Sequence, residues 1–230
     1  MIVVPAAQIE QHAHSGPWRG LERIAQHATQ AAAALSASPF VPVLGGGTRL
    51  MLAIRHRISD DIDLFIDSPQ WLGYLTPRLQ EDLIPDYVAL EGYDEAAASL
   101  KLRFEQGEID FVCALRLTDV SPTTNGQAAF PLDSVAEVLA KKLFHRGWAL
   151  TPRDLYDWWA IDRAGVLEVD KAALFALLPA DRLRAIQASL DALARSANAA
   201  KVWDSLRALE RPPLAEVVKW GLDELVKAQA

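Results

Sequence analysis

The chain has 230 residues, of which 51% are hydrophobic, enough for one large domain or two small ones with a real core. It has a formal net charge of −7 and a single cysteine, Cys113, which excludes an internal disulfide. No charge-free apolar run reaches the roughly eighteen residues of a membrane span, and the N-terminus lacks a basic start. We therefore expect a soluble cytoplasmic protein with no membrane partner.

The first predicted element is a helix from Trp18 to Leu35. Leu21, Ile24 and Ala28 share one stripe of that helix, and Pro17 stands near its start, where proline is tolerated. Residues 1–16 show no clear period. We expect the helix to pack against a sheet formed by the residues that follow.

A glycine-rich turn comes next, within the segment 44–67, which reads LGGGTRLMLAIRHRISDDIDLFID. The apolar run 40–44 predicts a strand that ends in this turn, and apolar residues at near-helical spacing over 50–58 predict a helix after it. Backbone NH groups at a helix N-terminus favour a phosphate. The alternative is that the glycines form only a turn.

Two carboxylates follow in a segment where apolar residues occur at every second position, as in a strand, instead of at helical spacing. Ile62, Leu64 and Ile66 alternate along a predicted strand, so Asp61 and Asp63 project from its other face. Carboxylates this close raise one another's pKa unless a cation lies between them, and magnesium prefers such oxygen ligands. A solvated strand face is the alternative. A phosphate site followed by paired carboxylates is the minimum for metal-dependent transfer from a nucleotide.

The order GGT followed by SDDIDLF resembles the nucleotidyltransferase superfamily related to DNA polymerase beta. More narrowly, it resembles the AbiEii/AbiGii toxin family of bacterial abortive-infection and toxin–antitoxin systems. The resemblance implies an α/β fold in which a polymerase-beta-like core with a mixed sheet (1–125) precedes a C-terminal helical bundle (126–230) that closes the cleft. It also implies nucleotide-binding roles for four residues of this segment, which are Gly46, Gly47, Thr48 and Ser59.

Beyond Asp67 the pattern predicts a helix over 70–83 and short strands over 87–90 and 99–105. Gly107 then turns the chain into a strand over 108–115.

Asp110 interrupts the apolar run of that last strand, and a buried carboxylate needs a partner. An ion pair with Arg103 across the hairpin is one reading. The family resemblance implies another, in which Asp110 is the third carboxylate beside Asp61 and Asp63, with Glu108 in reserve. In this reading Asp61, Asp63 and Asp110 would bind two magnesium ions, and manganese could substitute for magnesium.

Everything after the linker-like segment 121–130 is predicted to be helical. Asp133 or Ser134 is a good cap for a helix that runs through His145, and Thr151 caps the next one. The remaining helices are predicted at about 170–178, 181–195, 199–209 and 214–228.

The segment EVLAKKLFHRGWALTPRDLYDWW resembles the family's lysine-bearing helix followed by Arg-Asp-x-x-Asp. The resemblance places the family lysine at Lys142, with Lys141 where an acidic residue is more usual. It implies that this segment lines the cleft, with Lys142 and Arg153 near the nucleotide phosphates and Asp154 and Asp157 fixing their orientation. The alternative treats Lys142 as a solvated helix residue and Asp154 as a capping-box acid.

Taken together, the resemblance implies a toxin that moves a nucleoside monophosphate from a nucleoside triphosphate (NTP) to the acceptor end of tRNA. A cognate antitoxin would restrain it, and Asp61, Asp63, Asp110 and Lys142 would be catalytic. Three other classes stay open: nucleotidylation of a protein, phosphoryl transfer, and a non-catalytic nucleotide-binding module. The acidic net charge predicts weak, salt-sensitive binding of a polyanion, through the basic residues clustered in 49–57 and 141–153.

Overall fold

The computed structural model describes residues 2–80 and 84–228. The strands are β1 (Ile2–Val3), β2 (Val43–Gly45), β3 (Ile62–Ile66), β4 (Gly92–Ala96), β5 (Ser99–Phe104), β6 (Gly107–Cys113) and β7 (Arg207–Ala208). The α-helices are α1 (Ala6–Ser15), α2 (Trp18–Ser36), α3 (Gly46–Ile54), α4 (Leu72–Leu75), α5 (Pro77–Gln80), α6 (Val135–Arg146), α7 (Pro152–Ala164), α8 (Lys171–Ala176), α9 (Ala180–Arg195), α10 (Ala197–Ser205) and α11 (Leu214–Ala228). None of the helices in these ranges combines the length and apolar character that crossing a bilayer requires.

The main sheet is mixed and has the strand order β2-β3-β6-β5-β4. Strands β3 and β6 are parallel, with Asp63 directly opposite Asp110, whereas the other neighbours are antiparallel. A short parallel ladder joins β1 to β7 and ties the start of the chain to its C-terminal half. The predicted fold class, a mixed-sheet α/β core followed by helices, is confirmed.

The buried apolar side chains form two clusters. The first lies between the sheet and helices α1 and α2, and its members come from residues 4–132. The second is helical and contains members from 135–225 together with Leu50. Helix α3 lies between the two because it contributes Met51 to the first cluster and Leu50 to the second. The division of the chain at residues 125 and 126 stays a prediction.

Local capping signals explain the two helices that matter most for the site. The Ser134 side chain accepts a hydrogen bond from the backbone of Glu137 and starts α6. Helix α7 begins with a capping box, in which Thr151 and Asp154 each accept a hydrogen bond from the other's backbone NH group. Both helices begin where the sequence predicted.

Two predictions between β3 and β5 were wrong. The helix expected over 70–83 is broken at Thr76, because a residue before proline favours an extended backbone and Pro77 follows it; its last three positions lie outside the described residues. No strand forms over 87–90: residues 87–89 belong to a 3-10 helix, Pro85–Ala89, and Leu90 follows it. The strand of this region is β4, which lies at the sheet edge and is mostly exposed.

Two further differences occur at the ends of the chain. Residues 1–16, for which no period was recognised, contain α1, which buries Ile9 and Ala13. The helix expected over 199–209 ends at Ser205, since the chain becomes extended at Leu206 and enters β7.

Candidate active site

The glycine turn forms one wall of the site, and two of its glycines are in close contact with charged side chains. Gly46 has φ +62°, and a Cβ placed on it would lie 1.7 Å from Oδ2 of Asp63. A Cβ on Gly47 would lie 2.5 Å from Nη2 of Arg57 and 2.8 Å from Oγ of Ser59. The turn therefore needs glycine because these side chains pack directly on its backbone.

Thr48 is completely buried, and its hydroxyl donates a hydrogen bond to the backbone carbonyl of Asp61. Its side chain therefore joins the start of α3 to the start of β3. This contact uses the hydroxyl inside the fold, so the part of the turn that faces the cleft is Gly46 and Gly47.

A cleft of about 780 Å³ separates the sheet from the helical half of the molecule. The predicted site residues that line it are Gly46, Gly47, Ser59, Asp61, Asp63, Asp110, Lys142, Arg153 and Asp154. Residues that the sequence reasoning did not assign also line it, among them Lys101 on β5, Arg146 at the end of α6, and Asn198 and Val202 on α10.

The sheet side of the cleft is acidic. Asp63 on β3 and Asp110 on β6 are paired across the parallel ladder, and Asp61 directly precedes β3. Burial raises the pKa of Asp61, although its carboxylate accepts a hydrogen bond from the backbone NH of Glu108, 3.1 Å away. Burial also raises the pKa of Asp110 to about 6, and the negative charge of Asp63 adds to this shift.

Lys101 is the partner of Asp110, so the alternative reading, an ion pair of Asp110 with Arg103, is wrong. Its ammonium nitrogen lies 2.8 Å from Oδ2 of Asp110 and 2.6 Å from Oε2 of Glu108. The strand register explains this, because Lys101 is directly opposite Asp110 and Arg103 is opposite Glu108. Arg103 instead pairs with Asp94 on the outer side of the hairpin.

The acidic side chains have the chemistry that magnesium prefers. Asp61, Asp63 and Asp110 offer hard oxygen ligands, and two of the three have a raised pKa that a cation would relieve. Within residues 2–80 and 84–228, no three acidic, histidine or cysteine side chains converge closely enough to complete a metal site by themselves. Water and substrate phosphates would therefore have to supply ligands, as is usual for magnesium.

A buried charge network on the opposite side of the cleft is formed by His56, Arg57, Lys142, Asp154 and Asp157, of which Arg57, Lys142 and Asp154 line the cleft. The Arg57 guanidinium donates to both oxygens of Asp157, at 2.6 and 3.0 Å, and Nε2 of His56 lies 2.7 Å from the same carboxylate. Lys142 Nζ lies 3.1 Å from Asp157 and 2.7 Å from Asp154. The network joins the loop before β3 to helices α6 and α7.

Within this network the charges compensate one another. Burial opposes ionisation of Asp157, yet the charges of Arg57 and Lys142 hold its pKa well below the usual range. Burial likewise opposes the charged form of Lys142, but Asp154 and Asp157 raise its pKa. The reading of Lys142 as a solvated residue is wrong, whereas Asp154 is indeed the acid of a capping box.

The exposed cations of this wall lie at the mouth of the cleft. Arg153 Nη1 is 3.9 Å from Oδ2 of Asp61 and Arg146 Nη2 is 3.5 Å from Oδ2 of Asp154, and both side chains are more than half exposed. Lys141, by contrast, is buried over the Phe65 ring and paired with two carboxylates, those of Asp133 and Glu137.

A glycine turn beside aligned carboxylates on a mixed sheet, facing cations across an open cleft, is the arrangement expected of a nucleotidyltransferase. The family model described as "Nucleotidyl transferase AbiEii toxin, Type IV TA system" matches residues 29–227. This chain therefore belongs to the AbiEii nucleotidyltransferase toxin family. Membership of this toxin–antitoxin family implies an NTP substrate and an antitoxin partner.

Two solved structures are similar to the chain. MenT4, the nucleotidyltransferase toxin Rv2826c from Mycobacterium tuberculosis H37Rv, is 16% identical with a TM-score of 0.49, over 98% of this chain and 92% of MenT4. A protein provisionally classed as a nucleotidyltransferase from H. pylori is 15% identical with a TM-score of 0.46, over 94% of each chain. No curated protein sequence matches the chain.

Proposed function

We propose that this toxin transfers a nucleoside monophosphate from an NTP to a hydroxyl at the 3′ end of tRNA, in a magnesium-dependent reaction that releases pyrophosphate. The observation that carries the proposal is the register that sets Asp63 opposite Asp110, next to the glycine turn. Family membership supports the reaction class. The exposed cations at the mouth of the cleft, Arg146 and Arg153, fit a polyanionic acceptor.

The triphosphate would bind between the glycine turn and the helical wall. Gly46, Gly47 and Ser59 line the cleft, and their backbone NH groups and the Ser59 hydroxyl would donate hydrogen bonds to phosphate oxygens. Arg153 is exposed enough to move onto the phosphates. Lys142 is held by two carboxylates, so it would act as a positive group of constant position, with Asp154 and Asp157 setting that position.

In the transfer step, the acceptor oxygen bonds to the α-phosphorus while the bond from that phosphorus to the α–β bridging oxygen breaks. Pyrophosphate leaves with the electron pair, and the proton of the hydroxyl passes to the carboxylate of Asp110. Asp61 and Asp63 would hold magnesium, which neutralises negative charge on the phosphates when bound. The raised pKa of Asp110, about 6, suits a group that accepts a proton near neutral pH.

The test is to incubate the purified protein with total tRNA, magnesium and each α-labelled NTP in turn. We expect tRNA to become labelled, and we expect Asp63→Ala to lower the labelling rate at least about a thousandfold, which is a loss of about 4 kcal/mol at the transition state. Asp67→Ala is the matched control, because Asp67 directly follows β3 and is exposed. Circular dichroism of both variants checks the fold.

Other outcomes would identify other reactions. Label that appears on a protein instead of tRNA indicates protein nucleotidylation, and an acceptor that keeps the γ-phosphate indicates phosphoryl transfer. NTP binding without any turnover indicates a non-catalytic module. Undiminished labelling by Asp63→Ala would contradict the mechanism itself.

A further inference from the structure

The acidic side of the cleft contains a cation of its own. Lys101 places its ammonium nitrogen between two carboxylates on the neighbouring strand, 2.8 Å from Asp110 and 2.6 Å from Glu108. All three residues line the cleft. The position is set by the backbone, because β5 and β6 pair residue by residue and Lys101 is directly opposite Asp110.

A second divalent ion at Asp110 would have to displace or approach this ammonium. Two positive charges about 4 Å apart repel strongly in a partly buried site. The Lys101 ammonium donates a hydrogen bond to each of the carboxylates of Asp110 and Glu108, so the position beside Asp110 already holds one positive charge.

A single divalent ion is also enough to bring the total charge on the acidic side of the cleft close to zero. The carboxylates on this side are those of Asp61, Asp63, Glu108 and Asp110. Lys101 neutralises one of them, and Arg153, 3.9 Å from Asp61, neutralises part of another. One divalent ion at Asp61 and Asp63 would compensate the remainder before the nucleotide brings its own charge.

We propose that Lys101 takes the place of a second metal ion, so that the chain binds one divalent ion, at Asp61 and Asp63, while Lys101 holds Asp110 and Glu108. The inference rests on the proposed metal-dependent transfer. It replaces the two ions that the family resemblance implied. Lys101 is in this view a positioning residue, which keeps one oxygen of Asp110 paired and leaves the other for the acceptor hydroxyl.

The test counts bound manganese by electron paramagnetic resonance, with a non-hydrolysable α,β-methylene NTP analogue present. The wild-type protein should bind one Mn²⁺ per chain. Lys101→Met removes the charge but keeps an unbranched side chain, and it should bind a second Mn²⁺ with an affinity at least about tenfold higher than any second site of the wild type. Lys101→Arg should restore a stoichiometry of one.

Arg103→Met is the matched control because Arg103 lies on the same face of β5, two residues away, and pairs outside the cleft with Asp94. It should keep a stoichiometry of one. Thermal unfolding with EDTA and with Mn²⁺ provides a second readout, in which Lys101→Met should gain more from Mn²⁺ than the wild type does.

Two tightly bound ions in the wild-type protein would overturn the inference without touching the proposed transfer reaction. An unchanged stoichiometry in a folded Lys101→Met variant would also overturn it. Absence of any manganese binding by the wild type, with or without the analogue, would instead contradict the metal-dependent function on which the inference rests.

Discussion

The molecule holds two groups of partly or fully buried carboxylates, one on each side of the same cleft, and they differ in what surrounds them. On the sheet side, burial raises the pKa of Asp61 and of Asp110. On the helical side, Asp154 and Asp157 are more deeply buried, yet their pKa values are lowered. The degree of burial therefore does not decide the direction of the shift.

The number of cations in contact decides it. Asp157 alone contacts two cations, Arg57 and Lys142, and it also lies 2.7 Å from His56, whose pKa is lowered by burial, so the charge of Asp157 is fully offset within the protein. The sheet-side group is offset by Lys101 and, at a longer distance, by Arg153. A carboxylate group with incomplete compensation is suited to bind a cation and phosphates, whereas a compensated one holds two parts of the fold together.

Removing a compensated carboxylate should have the largest effect on stability. Asp157→Ala leaves Arg57 and Lys142 buried beside each other without their shared partner, and we expect it to lower the free energy of unfolding by about 3–5 kcal/mol. Urea unfolding followed by circular dichroism measures the loss. Asp162→Ala, on the same helix but partly exposed and paired with the half-exposed Lys171, should lose at most about 1 kcal/mol.

Asp63→Ala sharpens this comparison, since it removes an incompletely compensated carboxylate. The same urea measurement should find it as stable as the wild type or slightly more stable, although its transfer activity is lost. A large loss of stability in Asp63→Ala, or none in Asp157→Ala, would show that the two groups do not differ as described.

A smaller loss of stability is expected when the positive charge at position 57 is kept but the planar guanidinium group is replaced by an ammonium group. Arg57→Lys cannot reproduce the two parallel hydrogen bonds to Asp157, so we expect a loss of about 2 kcal/mol in urea unfolding. Arg55→Lys is the control because Arg55 pairs with the exposed Glu10 and should change stability by less than about 0.5 kcal/mol. Equal losses in the two variants would indicate that the paired geometry at Asp157 adds nothing.

Features with local signals could be predicted from the sequence. Helices α6 and α7 begin at capping residues that are read from four consecutive positions, and the alternation over 62–66 gave β3 and the face of Asp63. The strand β4 could not be found this way. It is an edge strand that is mostly exposed, so its apolar residues have no reason to alternate.

Features that depend on register or on distant contacts could not be predicted. Lys101 and Arg103 share one face of β5, and the choice between them as partner of Asp110 depends on the hairpin turn, where Phe104 pairs with Gly107. The contacts of Asp157 with His56 and Arg57 join residues about a hundred positions apart. His56 and Arg57 stand one residue before the motif SDDID, but nothing in their local pattern indicates their partner.

The smallest predicted effect is a difference in how stability depends on pH: the two carboxylate groups should change the free energy of unfolding in opposite directions. Because the pKa of Asp110 is raised in the folded state to about 6, the folded chain binds this proton more tightly than the unfolded chain does. Ionisation of Asp110 therefore lowers the free energy of unfolding as pH rises from about 4 to about 6. Asp110→Asn should be about as stable as the wild type at pH 4 and more stable than the wild type at pH 7, by a margin that grows between these two pH values, measured by urea unfolding in EDTA.

Asp154→Asn should show the opposite trend, because the pKa of Asp154 is lowered in the folded state. Its contribution is present above the unfolded pKa of about 4 and is lost as pH falls through the lower folded value. The variant should thus be less stable than the wild type at pH 7, by an amount that shrinks toward acid pH. Since both substitutions exchange a carboxylate for an amide of the same shape, curves that bend in the same direction would mean that cation contacts do not distinguish the two sides of the cleft.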